Sequence, residues 1–432
     1  MADQTTSNGS SKNYMGAFAL LTSLFFLWGF ITVLVDSLIP RIKELFTLNY
    51  FQAGLVQFAF FMAYFLLSIP AGFLLKRIGY KKGIVVGLLT MSFGCFLFYP
   101  AADFRSFGIF LMAYFVLAGG MTVLQVAANP FVTALGKPES AATRLNLAQA
   151  LNSLGTFLAP MVGAAYLLSD TIKTEEEIAA LSETDKMAYL IQEAGAVQSP
   201  FLVLTAAIVG LALVFAFVKL PNLIQNDSTS GYGEALKNKT LRLGALGIFV
   251  YVGAEVAIGS YLVNYFISMD LHTVLVEMND SFQGMDKKAI VASFVAFYWG
   301  GAMVGRFIGA VLTWFFKPGK VLACFAFGAL LMILISMNTV GLVSMWSILA
   351  VGLFNSIMFP TIFTLSIEGM GDLKPQASGI LCTMIVGGAI VPPLYGFLTD
   401  MAGFKMAFVL LLLCYGYILF FGYKADATPK EA

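Results

Sequence analysis

The chain has 432 residues, 59% of them hydrophobic and only 11% charged, with a net charge of +1 and a mean hydropathy of +0.85. No water-soluble domain holds that balance, so the lipid bilayer is the solvent for most of its side chains. With almost no net charge and no concentrated basic block, a nucleic-acid partner is excluded.

The first residues, Met1 to Asn13, are polar and lack the basic-then-apolar order of a cleaved signal. A helix needs roughly 20 mostly apolar residues to cross the hydrocarbon layer. On that length the chain divides into about twelve spans, at roughly 17–38, 51–75, 81–101, 106–134, 143–168, 198–220, 242–268, 287–314, 319–337, 341–369, 375–399 and 402–423. The polar stretch from Pro221 to Lys239 is the expected linker. The predicted organisation is a tail over 1–16, a first six-helix bundle over 17–220, a linker over 221–241, a second six-helix bundle over 242–423 and a tail over 424–432. Pro130 and Pro360 stand 230 residues apart, as do Asp170 and Asp400, which fits two pseudo-symmetric bundles with a substrate cavity between them. The predicted fold class is thus an all-α membrane protein of twelve transmembrane helices. Lysine and arginine gather on the side holding both termini, while the opposite side carries the acidic run Glu175, Glu176, Glu177, Glu183 and Asp185, so the positive-inside rule puts both termini in the cytoplasm.

An ionised side chain near the bilayer centre costs about 2.5 to 3.5 kcal/mol, so each one in a span needs a partner, a cavity or a task. Asp36 closes the apolar run from Phe25 to Val35. It reads either as an interfacial residue ending a helix or as a carboxylate that binds a proton or sodium ion in step with conformational change. Gln125 and Asn129 lie four apart on span 4, and Asn146, Gln149 and Asn152 lie three apart on span 5, so each set lines one stripe. One such amide can serve as helix-to-helix glue worth about 0.6 kcal/mol, but five together favour a wet cavity. Glu255 lies deep in span 7 with Asn264 further along, and is either a ligand or an anchor for Arg306 of span 8. Trp28, Tyr298 and Trp299 offer aromatic faces, which with the amides suit a neutral polyhydroxylated ligand better than an ion or a lipid. Gly301, Gly305 and Gly309 form a ladder for close helix packing, and Gly387-Gly388 followed by Pro392-Pro393 predicts a bend or break in span 11. Cys95, Cys324, Cys382 and Cys414 each sit in an apolar run without a CxxC pair and read as small buried hydrophobes. His272 falls in a polar connection with no Cys or His companion, so no metal site is expected beyond a sodium site at Asp36. No nucleophile, base and orienting residue occur at readable spacing, which argues against an enzyme.

The segments Phe25-Phe26-Leu27-Trp28-Gly29 with Asp36, Phe51 to Gln57, Ala127 to Val132 and Arg144 to Gln149 resemble the fucose:proton symporter family of the major facilitator superfamily, and the likeness covers nearly the whole chain. Tyr251-Val252-Gly253-Ala254-Glu255 and Phe359-Pro360-Thr361-Ile362-Phe363 look like the glucose/galactose transporter branch of that family. The resemblance implies the major facilitator fold, alternating access, and Asp36 as the span-1 carboxylate that responds to sugar and proton. Gln125 stands where the fucose carrier has a second carboxylate, and Lys76 stands where many members of the superfamily have aspartate in the basic loop between spans 2 and 3. A single carboxylate with amide and hydroxyl oxygens also suits sodium.

The expected function is therefore cation-coupled uptake, by proton or sodium, of a hexose such as glucose, galactose or mannose. Asp36 is the coupling residue, Gln125, Asn129, Gln149, Asn152, Glu255 and Asn264 are the sugar ligands, and Trp28 and Tyr298 are the stacking residues. No cofactor is expected besides the coupling ion. The partners are a small sugar and the lipid bilayer, and the protein is expected to work as a monomer in a bacterial inner membrane. Two rivals are an exporter of a drug-like or lipid substrate, coupled to protons, and a transporter-like sugar sensor. The exporter should show fewer amides, and the sensor a longer soluble tail than Lys424 to Ala432.

Overall fold

The computed structural model describes residues 10–45, 50–166, 180–221 and 231–427, and the side chains of 10–14, 35–45, 50–54, 162–166 and several positions between 183 and 197, with 426–427, stand outside the description. Among the described residues all regular structure is helical. The helices are α1 (Ser10–Leu45), α2 (Tyr50–Asp103), α3 (Phe107–Ala134), α4 (Ala141–Tyr166), α5 (Glu183–Phe217), α6 (Tyr232–Ala235), α7 (Lys239–Ser268) and α8 (Leu271–Met278). They continue as α9 (Lys287–Ser293), α10 (Val295–Phe315), α11 (Pro318–Asn338), α12 (Gly341–Asn355), α13 (Met358–Ile367), α14 (Lys374–Thr383), α15 (Gly387–Ala402) and α16 (Phe404–Ala427).

Ten of the described helices are long and apolar enough to cross a membrane. One of them, Leu55–Asp103, bends at Gly79 and so carries two spans. The backbone there has φ 82° and ψ 166°, a conformation that glycine adopts without the clash a Cβ would bring. Gly403, between α15 and α16, repeats those angles, and in both places an aromatic residue and a lysine follow, Tyr80-Lys81 and Phe404-Lys405. The remaining span is α4, whose first four turns carry Arg144, Asn146, Gln149 and Asn152 and are more polar than the other spans. Bend and polar helix together bring the ten to the expected twelve. Large apolar side chains such as Phe58, Phe65, Phe73, Phe297, Trp314 and Phe397 stand exposed on these helices, the pattern of a surface solvated by acyl chains.

The chain divides into two compact units, Met1–Phe131 with Leu151–Thr229, and Val132–Ala150 with Ser230–Ala432, so the divisions fall inside α3 and α4. In the first unit α2 packs on α5, where Phe98 stacks on Phe201 with ring centroids 4.1 Å apart. Ser92 donates to the Thr205 carbonyl at 3.3 Å in the same contact.

In the second unit α10 lies against α12. The predicted glycine ladder is the reason: a Cβ on Gly301 would stand 3.2 Å from the Leu353 nitrogen, and one on Gly305 would be 2.8 Å from Ser356 Cβ and against the Leu353 carbonyl. The end of α3 is closed by Arg144 of α4. Its Nε donates to the Val132 carbonyl at 3.1 Å, its Nη2 to that of Thr133, and its Nη1 to that of Lys137 and to Ser140 Oγ. A guanidinium thereby satisfies last-turn carbonyls that have no intrahelical donor.

Two predicted spans are broken in places worth noting. Span 10 is split into α12 and α13 around Ser356, and span 11 breaks at a short 3-10 turn over Met384–Val386, just before Gly387. Pro392 and Pro393 sit inside α15 without ending it. The expected break in span 11 therefore occurs, but it precedes the glycine pair and does not fall at the prolines. Cys95, Cys382 and Cys414 are buried as expected, whereas Cys324 is exposed, because it lies on an outer stripe of α11.

Candidate functional site

The second unit gathers a polar cluster deep in its spans. On α7, Tyr251 and Glu255 are one turn apart, the spacing that brings side chains together on a helix face. The Tyr251 hydroxyl donates to Glu255 Oε1 at 2.7 Å. Arg306 of α10 lies close enough for its charge to act on the Glu255 carboxylate. Its Nε donates to the Ser356 carbonyl at 3.0 Å and its Nη1 to the Gln149 carbonyl at 3.4 Å.

The Ser356 carbonyl is free for that role for a covalent reason. In an unbroken helix it would accept from the N–H of residue 360, but Pro360 has none. The next bond, from Thr361 N to the Ile357 carbonyl at 3.0 Å, is intact. Beside this break, Asn355 Nδ2 donates to the Tyr298 hydroxyl at 2.6 Å, and Tyr415 of α16 adjoins Asn355. Asn355 Oδ1 is buried and has no protein partner.

Around α4 the three predicted amides behave differently. Asn146 Nδ2 donates to the Ala142 carbonyl at 2.9 Å and to Thr361 Oγ1 at 3.2 Å, while its Oδ1 is buried without a protein partner. Gln149 is buried, and what reaches Arg306 is its backbone carbonyl. Asn152 Nδ2, in the first unit, donates to the Phe25 carbonyl of α1 at 2.8 Å.

Elsewhere in the first unit, Gln125 Oε1 and both side-chain polar atoms of Asn129 are buried with no protein partner. Asn129 is 0% exposed, and a carboxamide left so costs about 1–3 kcal/mol unless something polar meets it. Trp28 is 7% exposed, its ring tilted against Phe25 at 5.6 Å. Thr32 Oγ1 donates to the Trp28 carbonyl at 2.8 Å. Asp36 lies on α1, but its side chain is outside the described residues.

Of the expected residues, the second unit thus brings Glu255 together with Arg306 and the Gln149 backbone, and sets Tyr298 behind them. Tyr298 is 0% exposed, and Asn264 is exposed two and a half turns along α7 from Glu255. Tyr251, Asn355, Ser356 and Tyr415 were not read as site residues from the sequence. The Tyr251–Glu255 spacing and the four-residue step from Ser356 to Pro360 are the signals that mark two of them.

Membrane-crossing helices that carry buried carboxamides, with a half-buried carboxylate and guanidinium, are the build of a solute transporter. The chain matches the sequence model of the Major Facilitator Superfamily over residues 16–385. It is 50% identical over 420 residues to a protein of Brucella abortus named glucose/galactose transporter, covering 96% of each chain. It is 37% identical over 437 residues to the L-fucose-proton symporter of Escherichia coli, covering 98% of this chain and 96% of that one. The crystal structure of the E. coli fucose:proton symporter superposes with a TM-score of 0.87 at 34% identity, over 96% of this chain and all of that one. The chain belongs to the major facilitator superfamily and, within it, to the family of the fucose:proton symporter.

Proposed function

We propose that the protein is a secondary active transporter that takes up a hexose such as glucose, galactose or mannose together with a cation, by alternating access. The observation that carries this reading is the buried, unpartnered carboxamide of Asn129, with Gln125 Oε1 one turn away. Such groups need hydroxyls or water, which a polyhydroxylated solute supplies and a lipid or apolar drug does not. The names of the Brucella and E. coli relatives support the substrate class, and the latter supports the proton over sodium as coupling ion.

Candidate sugar ligands are Gln125, Asn129, Asn152 and Trp28 of the first unit and Gln149, Glu255, Asn264 and Tyr298 of the second, with Asp36 as the cation-coupling residue. The expected functional division remains 17–220 and 242–423, working as a monomer in a bacterial inner membrane with both termini cytoplasmic. Radiolabelled hexose uptake into proteoliposomes, with proton and sodium gradients imposed independently, tests the proposal. If neither gradient drives uptake of any of these sugars, the proposal is overturned. In Asp36→Asn, accumulation against a gradient should fail while sugar exchange survives, and full accumulation by that variant removes Asp36 from the coupling step.

A further inference from the structure

Glu255 and Arg306 each lie more than two turns from both ends of their helices, so both are held at depth in the second unit. The arginine gives Nε and Nη1 to the main-chain carbonyls of Ser356 and Gln149. The carboxylate takes a hydroxyl from Tyr251. Two of the contacts that hold Arg306 are thus to groups whose charge never changes, and they remain whatever the charge on Glu255.

The surroundings fit a group that titrates. Glu255 is partly accessible, whereas Tyr251, Tyr298 and Asn355 around it are buried. The titratable groups that act on this cluster are Tyr251 on its own helix, Arg306 and Tyr298 from α10, and Tyr415 from α16. Among the described residues, the other helices packed on α7 add no charge to Glu255.

We propose that Glu255 is a proton-binding site linked to sugar binding, with Arg306 as its fixed counter-charge and Tyr251 as the residue that orients it. The inference rests on the hexose-uptake reading. A proton from the outer solution forms an O–H bond on a Glu255 oxygen, which turns the neutral Glu–Arg pair into a site of net charge +1. The same bond breaks when the proton passes to the cytoplasmic solution with the sugar. In a low-dielectric interior the uncompensated guanidinium opposes protonation. A sugar oxygen that accepts the new O–H offsets that cost, so each solute favours the binding of the other by about tenfold, the worth of one buried hydrogen bond.

The test uses the purified full-length protein in weakly buffered detergent solution with a pH indicator, titrated to saturation with glucose, galactose or mannose. The wild type is expected to take up protons as sugar binds, and Glu255→Gln to take up about one fewer per chain. Infrared difference spectra should show a sugar-induced carboxylic-acid C=O band in the wild type that is missing from Glu255→Gln. The same proton count and the same band in that variant overturn the proposal. Should Glu255→Gln fail to fold or to bind sugar, Glu255→Asp decides: it must keep the proton uptake and show a shifted band, and loss of both with sugar still bound also overturns the proposal. A wild type that binds hexose with no proton uptake sinks this site and leaves the uptake reading standing. A wild type that binds none of these sugars sinks the uptake reading itself.

Discussion

Gly305 is one of the positions where α10 lies directly against the backbone of α12, and adding one methyl group there tests the packing directly. In Gly305→Ala the new Cβ would press on the Leu353 carbonyl and stand 2.8 Å from Ser356 Cβ. A carbonyl bound into a helix cannot swing aside, so the helices must part. Overpacking costs about 1–3 kcal/mol, the upper end where the obstacle is backbone, and alanine returns about 1 kcal/mol of helix propensity, leaving a net loss of about 2 kcal/mol. At about 2–4 °C per kcal/mol, with a long chain at the low end, the unfolding midpoint should fall by about 4 °C. Gly300 is the control, since a Cβ there meets nothing within 4 Å and the propensity gain stands alone. Gly300→Ala should match the wild type or exceed it by about 2 °C. The cysteines supply the assay. Cys95, Cys382 and Cys414 are buried and Cys324 is exposed, so a thiol-reactive dye reads one site before unfolding and four after. An unchanged midpoint in Gly305→Ala, or an equal fall in Gly300→Ala, refutes the argument.

Two further substitutions probe the break in span 10. Tyr298→Phe removes the acceptor of the buried Asn355 amide. Hydrogen bonds between membrane helices average about 0.6 kcal/mol with a maximum near 1.7, so the expected loss is about 1 kcal/mol. Tyr298→Phe with Asn355→Leu should recover part of it in a double-mutant cycle, and strict additivity of the two changes would deny the bond any weight. Pro360→Ala restores an N–H that competes with Arg306 for the Ser356 carbonyl. Because Pro360 stands in the first turn of α13, where an N–H has no acceptor within that helix, the variant should unfold at about the wild-type temperature yet transport more slowly. An undiminished initial rate of hexose uptake would show that the break has no part in transport.

The spans were legible in the sequence because crossing hydrocarbon imposes a length and a composition on each helix, whatever it packs against. The breaks were less so. Gly387-Gly388 pointed to the one in span 11, but the chain turns at Met384–Val386, and the prolines that looked disruptive stay inside α15. Phe294, where span 8 divides into α9 and α10, carries no glycine or proline to announce it. Partnerships were harder still. Glu255 and Arg306 could be named as a pair from their depth, but that Arg306 holds two backbone carbonyls depends on a proline 54 residues further along in a different helix. Sequence spacing shows which residues share a helix face and says nothing of which carbonyls a neighbouring helix leaves unpaired.

The carboxamides make the same point with more consequence for function. Asn129 and Asn152 are the same residue type, each on a polar stripe of a membrane helix, and composition gives no ground for assigning them different work. Asn152 gives its amide hydrogen to the Phe25 carbonyl, so its donor is spent on holding two helices together. Asn129 is completely buried, with neither its donor nor its acceptor taken by protein. Removing Asn152 would loosen α1 from α4, a change read chiefly in stability. Removing Asn129 takes away nothing the helices use and relieves a buried polar group of about 1–3 kcal/mol. A side chain that the fold alone does not reward, kept where the fold would be better without it, is the stronger candidate of the two for meeting the transported solute.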